Sequence, residues 1–302
     1  MLVRPRSAVV VAIVAISGLA LTADRAWSQP AGGSSPEIVG RAVISTDAPE
    51  FATTLTPDGA EIYFNRASVD RNRLTIMTAR RAADGTWSAP TVAPFSGTHR
   101  DVDPFVAPDG RRLYFSSDRP RAGGGEARFT TWYVERIGDS WSAPVDPGPP
   151  LNSVDGDVFV SIARDGLLTF TSSRLGASRV FSSRQVDGRW QTPAPVTFGS
   201  VVEAGNPAIA PSGRYLVLVR AVAGGSPDLF VSCRTAGDWS EPQALSNVNS
   251  PFADFAPFVD AGEQTLYFTS ERPGVAALAE KGVRPPGDLY HISLDAAGIR
   301  CP

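Results

Sequence analysis

A turn built on Pro-Asp-Gly or a close variant recurs five times and constrains the fold more than any other feature of this 302-residue chain. The copies are Thr56-Pro57-Asp58-Gly59, Ala107-Pro108-Asp109-Gly110, Arg164-Asp165-Gly166, Pro211-Ser212-Gly213 and Asp260-Ala261-Gly262. Proline pre-sets φ, aspartate bonds back to nearby backbone, and glycine takes the positive φ that closes the turn. An apolar-aromatic run follows each copy: Ile62-Tyr63-Phe64, Leu113-Tyr114-Phe115, Leu168-Thr169-Phe170, Leu216-Val217-Leu218 and Leu266-Tyr267-Phe268. The glycines lie 51, 56, 47 and 49 residues apart. A repeated unit of roughly 50 residues implies a solenoid or a propeller.

Each repeat reads as four extended segments. One precedes the turn, as in 103–106, and one follows it, as in 112–116. A third is β-branched and aromatic, at 74–78, 130–135, 179–183, 228–233 and 288–293. The fourth is expected to start at a tryptophan after a Gly/Asp turn, at Trp87, Trp141, Trp190 and Trp239. Helical patterning is confined to 275–281, inside an insertion of the fifth repeat. Short strands separated by turn signals predict an all-β fold. Four strands per unit and five units predict a five-bladed β-propeller. The segment after each turn is apolar on both sides, as a sheet sandwiched between neighbouring blades requires.

The fifth repeat has no tryptophan segment. Residues 37–44, ahead of the first turn, match the missing part, so the N-terminal strand is predicted to complete the last blade and close the ring. An open ring would leave two exposed sheet edges. The expected organisation is a signal peptide at 1–28, a Pro/Gly/Ser tether at 29–36 and a propeller at 37–302. The repeats run approximately 47–97, 98–152, 153–200, 201–249 and 250–302.

The signal reading rests on Arg4 and Arg6, the apolar run 8–21 and the small residues of Ala26-Trp27-Ser28. Fourteen apolar residues are short for a membrane span, which needs about 20, so a periplasmic or secreted product without a span is expected; an uncleaved anchor is the alternative. The formal charge of −3 argues against nucleic acid as a partner, because phosphate binding wants a basic face. Two cysteines are present, Cys233 and Cys301. In an oxidising compartment they either bridge the C-terminal tail to the fourth repeat or stand as one buried and one terminal thiol.

The string Pro-Asp-Gly-x-x-Leu-Tyr-Phe-Ser-Ser-Asp-Arg at 108–119 resembles the WD40-like (PD40) repeat of TolB-type propellers. The run from Trp141-Ser142-Ala143-Pro144 to Leu151-Asn152-Ser153 is similar to it as well. The resemblance covers about residues 37–302 and implies the propeller fold. It also implies a module that binds protein or cell-envelope partners. The chain has no room for the separate N-terminal domain of TolB, nor for the peptidoglycan-binding domain that other relatives join to such repeats. Kelch repeats share the period but fit the turn and the Tyr-Phe strands less well.

Two columns of charge recur with the repeat. Ahead of each turn sits an acid: Glu50, Asp101, Asp157, Glu203 (one position off) and Asp254. After each second strand sits an arginine: Arg66, Arg119, Arg174, Arg220 and Arg272. The columns form either a polar ring that binds an ionic or sugar-like ligand, or a set of ion pairs that pins blade to blade. Equal representation in every repeat favours pinning, since an active site breaks symmetry. Candidate site residues are therefore those that break it: His99, Arg100, Asp101, Asp103, Asp155 and Asp157. Paired carboxylates beside a histidine are suited to a divalent cation or to acid–base work, whereas a solvated loop of turn-capping aspartates is the structural alternative. No Gly-x-Ser-x-Gly elbow is present and no cysteine has a histidine nearby in sequence. One nearby histidine does not make a multi-histidine metal site, and no cofactor is implied. The sequence thus predicts an exported, monomeric, non-catalytic binding propeller. The alternative is a carbohydrate-active hydrolase or lyase with an acidic site on one face.

Overall fold

The computed structural model describes residues 35–121, 128–236, 238–275 and 285–302. The expected signal peptide, most of the tether, the centre of the glycine-rich insertion after Pro120 and most of the expected helical turn at 275–281 lie outside the described residues. Five antiparallel sheets form a five-bladed β-propeller of four-stranded blades. The first blade is Glu50–Leu55, Glu61–Ala67, Leu74–Arg80 and Thr91–Val92. The innermost strands of the other four are Asp101–Val106, Asp157–Ile162, Gly205–Ile209 and Asp254–Val259. No helix among the described residues is long and apolar enough to cross a membrane.

The repeated turn joins the first two strands of each blade. Gly59, Gly110, Gly166 and Gly213 each have φ between 69° and 80°. In the fifth copy that position belongs to Glu263, at φ 51°, rather than to Gly262. Asp260 explains the offset: its carboxylate accepts from the backbone of Gly262, Gln264 and Thr265, fixing the turn one residue further on.

Each tryptophan begins the outer edge of its blade, as expected: in the second and fourth blades Ser140–Trp141 and Asp238–Trp239 lie fourth in the sheet. Trp141, Trp190 and Trp239 pair with Arg136, Gln185 and Arg234, and Trp87 bridges Arg81. The next residue still donates its N–H to the third strand, as Ser88 does to the Arg80 carbonyl at 2.8 Å. A proline then removes a donor and interrupts the ladder, so the outer edge resumes beyond it at Thr91–Val92, Val145, Ala194–Pro195 and Gln243–Ala244.

Apolar side chains fill the seams between blades. The second seam, for example, packs Tyr63 and Ile76 of the first blade against Leu113, Phe115 and Val134 of the second. Trp141 extends from the second blade to the Tyr63 hydroxyl, donating at 3.0 Å. The ring closes as expected: Glu37–Ile38 pairs with His291 and Tyr290 and forms the outer edge of the last blade. Cys233 and Cys301 are joined by a disulfide, with Cα atoms 5.4 Å apart.

That bridge closes a loop with a sequence separation of 68. In the chain-entropy account a loop of this size contributes about 4 kcal/mol. Cys301→Ser, or reduction of the native protein, is therefore expected to lower Tm by calorimetry, with one cooperative transition retained.

Candidate functional site

The acid column lies at the start of the innermost strands and is buried. Glu50, Asp101, Asp157 and Asp254 have no accessible surface. Each is paired with an arginine of its own blade: Arg66–Glu50 at 2.7 Å, Arg119–Asp101 at 2.8 Å, Arg174–Asp157 at 2.6 Å and Arg272–Asp254 at 2.8 Å. The loop entering the blade supplies further donors. Thr46 donates N–H and Oγ1 to Glu50, Ser96 Oγ donates to Asp101, Ser153 N–H to Asp157, and Ser250 N–H and Oγ to Asp254. Burial pushes the Glu50 carboxyl up despite the donors from Thr46 and Arg66. The arginines also reach backbone carbonyls of that loop (Ile44, Phe95, Leu151 and Val248) and stack on rings of their own blade. One guanidinium thus holds an acid, a loop and an aromatic face.

The fourth blade differs. Its strand register pairs Gly205 with Val219, so the acid's place, one step further out, is Ala204 opposite Arg220. Ala204 is buried, while Glu203 is exposed beside it. The arginine column also spans two register positions. Arg66 lies opposite Glu50, where Ser117, Ser172 and Ser270 lie opposite their acids; Arg119, Arg174 and Arg272 follow two residues later.

The symmetry-breaking candidates do not converge. Asp101 and Asp157 are held in their ion pairs. Asp155 is exposed in a loop, and His99 is half-buried. Arg100 donates its N–H to Asp118 at 3.0 Å and stacks 5.2 Å from the Phe129 ring. Among the described residues no three His, Cys, Asp or Glu side chains form a metal-binding group.

Asp103 is placed apart, in the central channel. All five innermost strands carry a bulge with a left-handed residue: Ala52, Asp103, Phe159, Asn206 and Ala256, with φ between 45° and 57°. The bulge frees that residue's N–H from its own sheet. In four blades it is donated to the preceding blade: Ala52 to Thr269 Oγ1, Asp103 to Asn65 Oδ1, Phe159 to Ser116 Oγ and Asn206 to Thr171 Oγ1, at 2.8–3.2 Å. Ala256 instead follows a blade with Val219 at the corresponding place. The sequence reading did not identify these bonds, although an Asn, Ser or Thr inside an otherwise apolar strand signals them.

The channel between the innermost strands has a volume of about 10 Å³, and Asp103 is the one carboxylate among its lining residues. Its hydrogen-bond neighbour is the Ser116 hydroxyl at 3.5 Å. Burial pushes the Asp103 carboxyl up to about 7.

A concavity lies at the opposite, turn-bearing end, between the second and third blades. It has a volume of about 780 Å³ and is lined by Arg111, Arg112, Arg136, Arg164 and Arg184, with Tyr114 and Trp190 among the arginines. Arg112 pairs with Glu135 at 2.8 Å and Arg184 with Asp165 at 2.6 Å. Arg136 pairs with Glu61 of the first blade, and Arg164 lies 3.7 Å from Glu263 of the fifth. Arg111 is exposed. With Glu61 and Glu263 counted beside Asp109, Glu135 and Asp165, the five arginines face five acids, and Arg111 is the one without an ion pair. The groove joins turns from two repeats, so no single stretch of sequence announces it.

Neither a protein-family model nor a curated protein matches the chain. Solved structures do. A putative TolB from Agrobacterium tumefaciens is 13% identical, with 82% of this chain and 91% of that chain covered and a TM-score of 0.51. A GH62 hydrolase solved with xylotriose is 13% identical, with 86% and 98% covered and a TM-score of 0.55. The catalytic domain of a GH62 α-L-arabinofuranosidase from Coprinopsis cinerea is 15% identical, with 86% and 97% covered and a TM-score of 0.53. At these identities the likeness is one of fold, and the fold is TolB-like.

Two predictions follow from the buried charges. Arg119→Ala leaves Asp101 buried without its cation, at a cost of about 3–5 kcal/mol. Glu203→Ala, at an exposed position, is expected to change stability by less than about 0.5 kcal/mol; denaturant titration of both variants checks the contrast. Asp103 makes stability depend on pH. Its folded pKa lies above the unfolded value, so the folded state binds the extra proton and stability falls as pH rises from about 4 towards 7. Asp103→Asn is expected to flatten the profile of Tm against pH and to melt above wild type at pH 8.

Proposed function

We propose that the protein is an exported, non-catalytic propeller that binds a cell-envelope protein through its turn-bearing face, with the arginine-lined groove between the second and third blades as the contact. The observation that carries this reading is the division of labour among the charges. The buried acids at one end are held by arginines of their own blades, whereas the groove at the other end presents ion-paired arginines, the exposed Arg111 and the half-buried Trp190 to solvent. Arginine and tryptophan are the side chains that anchor protein interfaces. The export-type segment at 1–28 supports a periplasmic or secreted location, and the TolB-like fold is compatible with a binding role.

Carbohydrate hydrolysis is the second reading, favoured by one observation: Asp103 is a proton-holding carboxyl on a fold shared with GH62 hydrolases. Glycoside hydrolysis ordinarily takes two carboxylates flanking the scissile bond, about 5–9.5 Å apart. The channel lining offers one, in a space too small for a sugar ring.

Capture from envelope extract separates the two. Wild type is expected to retain a protein that Arg111→Glu/Arg184→Glu loses, and to release no product from a panel of plant and bacterial glycans. Turnover by wild type would sink the binding reading. So would equal capture by the groove variant.

A further inference from the structure

In the first blade the buried acid has two tasks. Glu50 accepts from the incoming loop through Thr46 N–H and Oγ1, and it accepts from Arg66 Nε at 2.7 Å. The fourth blade is built on the same register, with Arg220 in place of Arg66 and Ala204 in place of Glu50. The two tasks have come apart there. Ser200 corresponds to Thr46, and its N–H and Oγ both donate at 2.7 Å to Glu241, an exposed acid that arrives from beyond Trp239. The loop has found a substitute acceptor. The arginine has not.

The Arg220 Nε is buried and has no hydrogen-bond partner. Its counterparts all have one: Arg66 Nε donates to Glu50, Arg119 to Ser117, Arg174 to Ser172 and Arg272 to Ser270. The guanidinium is held 5.0 Å from the Phe230 ring, so its direction is set by packing. Asp228 lies opposite Arg220 in register, and the field of Arg220 reaches Glu241, yet neither acid forms an ion pair with it. A second buried, unpartnered guanidinium nitrogen lies on the other side of the seam. Arg179 begins the third-blade strand Arg179–Ser183, which packs against Gly205–Ile209 of the fourth blade. A buried charged donor without an acceptor is costly and rare in folded proteins. At Arg220 the orphaned donor lies opposite Ala204, where the four other blades place a carboxylate, and so describes a receptor site for one.

We infer that the seam between the third and fourth blades binds an exogenous carboxylate in the place that Glu50 occupies in the first blade. The planar guanidinium fork suits a carboxylate's two oxygens. Arg220 is half-buried and the loop beyond it, residues 221–225, is exposed, so the site opens to solvent. It lies at the end of the ring opposite the turn-bearing groove and does not depend on the function proposed for that groove.

The test uses the folded protein with acetate as probe, against chloride at matched ionic strength. In wild type the Arg220 Hε–Nε NMR cross-peak is expected to shift saturably with acetate and not with chloride. Ala204→Asp installs the acid of the other blades. Its cross-peak is expected to sit displaced without acetate, its Tm above wild type, and its acetate affinity at least tenfold weaker. Arg220→Gln, read by the acetate-dependent rise in Tm, is expected to lose that rise. A wild-type cross-peak that ignores acetate, an Ala204→Asp variant with unchanged acetate affinity, or an Arg220→Gln variant that keeps the rise would overturn the inference.

Discussion

The hydrogen bond from the innermost bulge to the blade before it, made in four of the five blades, is the constraint on which the rest of this ring depends. A sheet has no intrinsic reason to meet its neighbour at one height, since apolar seams tolerate sliding. An N–H expelled from its own ladder by a left-handed residue must find an acceptor. Asn65, Ser116, Thr171 and Thr269 provide one at a fixed place in the second strand. That bond sets the height of those four blades against the blade before. The buried acid, two residues earlier, is then brought under the loop that enters its blade. The arginine follows, because a carboxylate with no accessible surface demands a cation or a proton.

Much of the fold was legible in the sequence because its turns are chemical as well as positional. Pro-Asp-Gly specifies a turn by itself, and an apolar-aromatic run after it specifies a strand buried on both faces. The missing tryptophan segment of the fifth repeat correctly implied that Glu37–Ile38 would complete the last blade. The bulges were not legible. Ala52, Asp103, Phe159, Asn206 and Ala256 share a backbone conformation but no side-chain chemistry, and only the partners across the seam have a common polar character. The break within the outer edges was not legible for a related reason. Tryptophan marks a packing site, whereas the resumption of pairing is governed by the proline after it.

The charged residues were legible as a pattern but not as a register. Acid and arginine columns can be counted from sequence, yet Arg66 and Arg220 occupy the place that serine holds in three other blades. Only the strand pairing shows that Glu203 lies beside the acid's place and that Ala204 fills it. Asp101, Asp103, Asp155 and Asp157, neighbours in sequence, are assigned to an ion pair, a channel, a solvated loop and a second ion pair. Strand alternation alone would put aspartates two apart on one face; the bulge at Asp103 and the start of the strand at Asp157 separate them instead. The turn-bearing groove had no signature in any one repeat, being made from turns of two blades brought side by side.

The strand that completes the last blade also orders the assembly of the chain in time. Ile38 pairs with Tyr290, so the first strand to emerge during synthesis has no sheet to join until nearly the whole chain has followed it. Contacts so distant in sequence carry a high loop-closure cost and form late. A strand that cannot pair early remains extended until its partner strand arrives. Ring closure by the first strand therefore couples completion of the fold to arrival of the far end of the polypeptide.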